Sequence, residues 1–481
     1  MGAREILTVE QMAAADRAAI AAGASGVELM ERAGDAVVDA ITARFSPRRT
    51  LVLAGPGNNG GDGYVIARRL GELGWDVRVT ALAAPRTHDA QEAQKRWAGT
   101  AVAMSAELPD AELIIDALFG AGLDRPLSSD LARLARRLEA KRDRVVAVDV
   151  PSGLSGDTGQ PVGAACFHAD LTVTFHRRKP AHVLQPGRDI CGELVVADIG
   201  LAATDSNLFE NGPELWLKRY PWPGVSAYKH TRGRLIVISG EAWSTGAARL
   251  AARAALRVGA GLVTLLSPPD ALAVNAAHLE AIMLRPFETE MELETIASDV
   301  EAAVIGPAAG LTEATLSNVL ALARTGAALV VDADALSIFR DEPDELFQVL
   351  DRDDVLTPHA GEFERIFPGL LKSTPERITA TRKAAGRAQA VVLLKGPDTV
   401  IAAPDGRAAV NINGSPWLAT AGSGDVLAGL IGGLIAQGME SFEAACAGTW
   451  IHAACADLFG PGLISEDLPG LVPRVLSQLR A

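Results

Sequence analysis

At 481 residues the chain is too long for one ordinary core, so two domains or more are expected. Its 48% hydrophobic and 22% charged residues fit a soluble globular protein. A net charge of −14 argues against nucleic acid as a partner, and the one cationic run, Arg177-Arg178-Lys179, is too short to change that. Cys166, Cys191, Cys446 and Cys455 form no close pair and no metal-ligand spacing, so they read as thiols in a reducing compartment. With no signal-peptide core and no apolar run of membrane length, the cytoplasm is the expected location and no membrane partner is expected.

Val9 to Ala22 and Val27 to Phe45 have helical spacing, separated by Gly23 and Gly26. Short apolar strands then alternate with helices. The strands are Leu51 to Ala54, Val77 to Leu82, Leu113 to Ile115 and Val145 to Val150, and a helix is predicted over Tyr64 to Leu73. This alternation predicts a parallel sheet covered on both faces. Ligands in such sheets bind beyond the carboxyl ends of the strands.

Three loops at those ends are unusual. Gly55-Pro56-Gly57-Asn58-Asn59-Gly60-Gly61-Asp62-Gly63 formally matches a dinucleotide fingerprint. The acidic residue expected after the next strand is missing, however, which disfavours a conventional NAD-dependent oxidoreductase. The second loop follows Asp116 and contains Phe119 to Pro126, and the third is Asp149-Val150-Pro151-Ser152-Gly153. Singly, Asp116 and Asp149 are as readily helix caps as site residues. Oxygens from Asn59, Asp116 and Ser152 carry too little charge for a divalent ion and suit a weakly held monovalent one.

Together these loops resemble the NAD(P)H-hydrate epimerase domain, over roughly residues 1–201. The resemblance implies a Rossmann-like three-layer α/β/α domain. It implies that the hydrated dinucleotide touches Asn58, Asn59, Gly60, Gly61, Asp62, Gly120, Ala121, Gly122, Leu123, Asp124, Arg125, Pro126 and Asp149, with Asp149 catalytic. It also implies potassium on Asn59, Asp116 and Ser152. Ala121 stands where many relatives have threonine.

Residues 202–223 lack a clear period and read as a connector packed by Trp216, Tyr220 and Trp222. A second alternating series follows: strands at Arg234 to Ile238, Leu262 to Leu266, Ala303 to Ile305, Ala328 to Val331 and Val391 to Leu394, with a helix over Ala247 to Val258. Asp405-Gly406 predicts a hairpin turn between Val400 to Ala402 and Ala408 to Val410. The strand-end loops hold Gly306 to Gly310, Asp332-Ala333-Asp334, Thr357-Pro358-His359 and Lys395 to Thr399. His359 alone reads as a packed loop histidine.

Gly422-Ser423-Gly424 then precedes the apolar run Val426 to Ile435. Glycines there let backbone N–H groups converge at a helix N-terminus, which can hold phosphate. Asp425, in the first turn, can take a proton from a hydroxyl attacking a phosphate, or can simply cap the helix.

Lys395-Gly396-x-x-Thr399, Asn413-Gly414-x-Pro416 and Ala419 to Leu427 resemble the ribokinase-like family, and more narrowly its ADP-dependent NAD(P)H-hydrate dehydratases, over residues 224–481. The resemblance implies a ribokinase-like α/β domain in which Asp425 is the base. The hydrate would touch Ala247, Gly310, His359 and Asp425. ADP would touch Lys395, Gly396, Pro397, Asp398, Thr399, Ser415, Pro416, Trp417, Leu418, Ala419, Thr420, Ala421, Gly422, Ser423 and Gly424. Ala308-Ala309 replaces a usual Gly-Leu.

The two resemblances share one substrate class, the hydrates NADHX and NADPHX. They imply that the first domain interconverts the epimers and that the second dehydrates the S form, with ADP as phosphoryl donor, magnesium on its phosphates, and a homo-oligomer, a tetramer, as the assembly. The rival readings are a ribokinase-type vitamin kinase fused to a dinucleotide-binding module, and a nucleotide sensor without activity.

Overall fold

The computed structural model describes residues 4–480 except 106, 107 and 375. The chain forms two compact units, Glu5–Ser206 and Asn207 onward, the latter together with Arg4.

The first unit is built on seven parallel strands in the spatial order Ala101–Ala103, Val77–Ala81, Thr50–Ala54, Leu113–Ala117, Val145–Val148, Leu171–Phe175, Glu193–Ala197. The chain winds one way from Thr50–Ala54 and returns the other way from Leu113–Ala117. The switch point, where a ligand crevice opens, therefore lies between these two strands. Their register, with Leu53 opposite Asp116, brings the Gly55 and Leu118 loops side by side. Leu171–Phe175 was missed in the sequence because Thr172 and Thr174 alternate along it, yet both are buried and hydrogen-bonded.

One sequence expectation fails here. The helix expected from Tyr64 starts at Asn58, so most of the glycine-rich loop is its first turns. The reason is close packing. A Cβ at Gly60 would lie 1.8 Å from the Gly55 carbonyl oxygen, and one at Gly61 would lie 2.6 Å from the Met30 side chain. Glycine's poor helix propensity, about 1 kcal/mol against alanine, is outweighed because no larger residue fits.

The second unit carries a sheet that includes, in spatial order, Leu208–Asn211, Ala408–Asn411, Val400–Ala402, Val391–Leu394, Val355–Leu356, Ala328–Val331, Ala302–Ile305, Arg234–Ile238, Leu262–Ser267, Met283–Pro286. The hairpin is antiparallel as expected, with Gly406 at φ +91° in its turn. Leu208–Asn211 falls inside the segment read as a connector. It pairs in parallel with Ala408–Asn411, and the Asn211 amide donates to Asn411 Oδ1 (2.9 Å) and to the Cys446 carbonyl (2.8 Å). Its buried Glu210 and Asn211 hid the strand from a reading by hydrophobicity.

The helix Ser423–Ala436 is buried from Val426 to its end and lies on the helix Gly246–Val258. Small residues set that distance: a Cβ at Gly429 would meet the Ala251 carbonyl oxygen at 2.1 Å, and one at Gly433 would meet Ala255 at 2.8 Å. Among the described residues no helix is long and apolar enough to cross a membrane.

Candidate active sites

In the first unit a cavity of about 600 Å³ opens at the switch point. Of the residues the resemblance implied, Asn58, Asn59, Asp62, Gly120 to Arg125 and Asp149 line it. Gly60, Gly61 and Pro126 do not; the two glycines serve helix packing instead.

Asp149 follows the strand Val145–Val148 with φ +67°, a left-handed conformation that Asp tolerates better than most residues. Its Oδ1 accepts from the Lys179 ammonium (2.8 Å) and the Thr174 hydroxyl (3.0 Å), and its Oδ2 from the Ala121 N–H (3.0 Å). The Ala121 contact is made by backbone, so it does not depend on the side chain at that position. Lys179 is 1% exposed and also donates to Thr174 Oγ1 (2.8 Å) and the Phe175 carbonyl (3.2 Å). Burial works to raise the Asp149 pKa, but the Lys179 charge and the bonds from Lys179 and Ala121 hold it at about 2. His182 Nδ1 accepts from the Lys179 N–H (2.9 Å), Nε2 lies 3.0 Å from the Asp149 carbonyl, and burial pushes the imidazole down to about 3. Lys179 is thus no part of a surface cationic run. Its signal was its place just after a strand's carboxyl end, and that strand had not been recognised.

Two more carboxyls line the same cavity. Asp62, on the helix Asn58–Glu72, is 9% exposed. Burial, then Asp149 and Asp16, push its pKa well above the usual carboxylate range. Asp16, on the helix Val9–Ala21, is raised by burial, with the Lys179 charge opposing. Nothing in the sequence marked Asp16, which sits in an alanine-rich helix far from every motif.

Asp116 and Ser152 come together beside this cavity. The Ser152 hydroxyl donates to Asp116 Oδ1 (2.6 Å), its N–H donates to Oδ2 (2.8 Å), and its Oγ accepts from the Phe119 N–H (2.9 Å). Asp116 is 0% exposed, and burial raises it to about 6 against the hydrogen bonds it accepts. The Asn59 amide Nδ2 is buried without a hydrogen-bond partner.

In the second unit the helix Ser423–Ala436 begins at Gly422, which has φ +87° and contributes no side-chain cap. Asp425 therefore does not cap the helix. The loop before it is tied down from outside: the Ser465 hydroxyl donates to the Ala421 carbonyl (2.6 Å) and the Ser423 hydroxyl to the Leu418 carbonyl (2.9 Å). Lys395, at the end of the strand Val391–Leu394, donates to Asp332 Oδ1 (2.8 Å), and its Nζ would lie 3.5 Å from a Cβ at Gly424. Burial, then the Asp332 charge, raise Asp425 to about 6, with Lys395 opposing.

Gly310 donates its N–H to Asp334 Oδ2 (2.9 Å). His359 caps the helix Ala360–Ile366, its Nδ1 accepting from the Gly361 and Glu362 N–H groups. Thr399 closes its turn on the Gly396 N–H (3.2 Å) and carbonyl (2.8 Å), while Asp398 is buried 3.3 Å from Arg377. Ser415 Oγ and Asn413 Oδ1 are buried without partners, and Trp417 is exposed. Ala247 is half-buried in the first turn of the helix Gly246–Val258. The Asp332 and Asp334 loop supplies both the Lys395 partner and the Gly310 anchor, roles its sequence does not show.

Each unit therefore holds a lysine–aspartate pair with one partner buried and the other partly exposed, beside a carboxyl of raised pKa, the equipment of a two-centre enzyme that moves protons. A family model described as YjeF-related protein N-terminus matches residues 26–181, and one described as NAD(P)H-hydrate dehydratase matches 235–463. A bifunctional NAD(P)H-hydrate repair enzyme of Moorella thermoacetica is 37% identical, over 94% of this chain and 93% of that protein. Its Escherichia coli counterpart is 33% identical, over 94% and 89%. A crystal structure of a ribokinase-like superfamily protein from Enterococcus faecalis matches with a TM-score of 0.51 at 20% identity, covering 58% of this chain and 98% of that one. The chain belongs to the family of bifunctional NAD(P)H-hydrate repair enzymes.

Proposed function

We propose that the first unit epimerises the R and S hydrates of NADH and NADPH, and that the second dehydrates the S form with ADP, releasing AMP and phosphate. The observation that carries the second half is the Asp425 carboxyl, which lies in the first turn beside the glycine turn, is not the helix cap, forms no ion pair among the described residues and is raised to about 6. Hydroxide is a poor leaving group, so the hydrate's hydroxyl is first phosphorylated. Asp425 takes its proton as the oxygen attacks the nucleotide's terminal phosphorus, while the Gly422-Ser423-Gly424 backbone and helix N-terminus stabilise the moving charge. Phosphate then leaves, a proton leaves the neighbouring ring carbon, and the double bond is restored. The buried unpartnered Ser415 Oγ and Asn413 Oδ1 offer polar contacts to the nucleotide.

Asn59, Asp116 and Ser152 fit potassium. Asp116 is a fully buried carboxyl with no ion-pair partner among the described residues, and one positive charge would neutralise it. Among the described residues no three His, Cys, Asp or Glu side chains converge in metal-binding geometry. That suits a magnesium ion arriving on the nucleotide's phosphates and keeping most of its waters. Asp332 is at hand for it, with Oδ2 3.8 Å from a Cβ at Gly424. A cytoplasmic homo-oligomer completes the proposal.

Mixed hydrates incubated with ADP test it, following NADH absorbance and phosphate together. Recovery of both from the whole mixture supports two activities. A stable phosphorylated product points to a kinase, and no change points to a sensor.

A further inference from the structure

The cavity of the first unit contains more acid than binding alone requires. Asp149 is locked to Lys179. Asp62 and Asp16 approach from two different helices, line the same space and, among the described residues, form no ion pair. Asp62 is more than nine-tenths buried. A group buried this way is retained where its proton is used. In the hydrate the hydroxyl sits on the ring carbon next to the ring nitrogen, so two routes to inversion exist. Either the carbon–nitrogen bond opens to an aldehyde, or the carbon–oxygen bond breaks to an iminium cation. A cavity lined by several carboxyls and a tied-up ammonium favours the cation.

We infer that this unit inverts its substrate by breaking and remaking the carbon–oxygen bond, with Asp62 and Asp16 as proton donor and acceptor and Asp149 as the fixed negative charge facing the ring. This rests on the epimerase reading above. Asp62 protonates the hydroxyl, the carbon–oxygen bond breaks and water leaves. The nitrogen lone pair forms the carbon–nitrogen double bond. Water adds to the opposite face, the electron pair returns to nitrogen, and Asp16 takes the surplus proton. The reverse passage exchanges the two roles, and nothing is oxidised or reduced. Lys179 is a positioning residue: its ammonium donates one hydrogen bond to Asp149 and is itself fixed by one each to Thr174 Oγ1 and the Phe175 carbonyl.

The test uses the full chain, pure R hydrate and heavy-oxygen water, without ADP. At early times each S molecule formed should carry one heavy oxygen. S hydrate retaining its original oxygen would overturn the inference while leaving epimerisation intact. Failure to form S hydrate at all would overturn the epimerase reading and this inference with it. Asp62→Asn and Asp16→Asn should each slow inversion at saturating hydrate by about 100- to 10,000-fold. Near-normal inversion in both variants would also overturn it.

Discussion

The two centres use the same pair of residue types in opposite ways. In the first unit Lys179 grips the aspartate that faces the cavity, and Asp149 stays ionised down to a pH of about 2. In the second, Lys395 grips Asp332 and leaves Asp425 to feel both its own burial and the Asp332 charge, so it takes protons near pH 6. A buried lysine therefore does not by itself mark the reactive carboxyl. In the function proposed above, the reactive one is the carboxyl outside the lysine's ion pair, poised by its neighbour's charge.

Asp425→Asn should break this contrast most deeply. ADP-driven dehydration of S hydrate is expected to fall about 100- to 10,000-fold with epimerisation unchanged. An activity within a few-fold of wild type would remove Asp425 from the mechanism. The same variant reports on stability. A carboxyl whose folded pKa, about 6, exceeds the ordinary 3.8 destabilises the fold as pH rises between those values, and the cost persists above them. Asparagine carries no such cost, so the variant should melt higher than wild type at neutral pH and not at pH ~4.

Lys179→Met should be next. It leaves Asp149 buried and unpaired, which costs about 3–5 kcal/mol. Denaturant unfolding of the first unit should show that loss, and replacing Asp149 by Asn in the same chain should restore part of it. An unchanged midpoint would show that the pair is not held as described.

The pH profile sharpens the comparison with a smaller effect. Dehydration at saturating ADP should fall about tenfold per unit below pH ~6, because only ionised Asp425 accepts a proton. Asp149 remains ionised throughout that range. A flat dehydration profile from about pH 5 to 8 would contradict the Asp425 environment.

The smallest expected effect is at Ala308, which occupies φ +52°, a left-handed region that costs a residue with a Cβ about 1–2 kcal/mol. Ala308→Gly relieves that strain but gains unfolded-state entropy, so a net stabilisation of up to ~1 kcal/mol is expected by thermal melting. A destabilised variant would show that the alanine methyl makes a compensating contact.

Much of this was legible in the residues. The strand–helix alternation gave both α/β sheets, and the polar strand-end loops gave most of the cavity lining. What stayed hidden shares one physical cause: polar groups that are buried because they are paired. Thr172 and Thr174 concealed one strand, Glu210 and Asn211 another, and Lys179 looked like one member of a surface run. The glycines from Gly60 to Gly63 looked like a loop because the close approach that places them in a helix depends on residues distant in sequence, Met30 and Ala117 among them. Asp16 carried no local signal at all.

The contact of Gly429 and Gly433 with the alanines of the neighbouring helix has a consequence for motion. The turn that would receive phosphate is the front end of a helix whose remainder is locked into the core, with no side-chain slack between the two backbones. It cannot swing as a lid without opening that core. Its helical amides should therefore be among the slowest in the chain to exchange with deuterium, with protection approaching that of global unfolding. Nucleotide should add little to their protection, and any ordering on binding should appear instead in the exposed residues around Trp243 and Trp417.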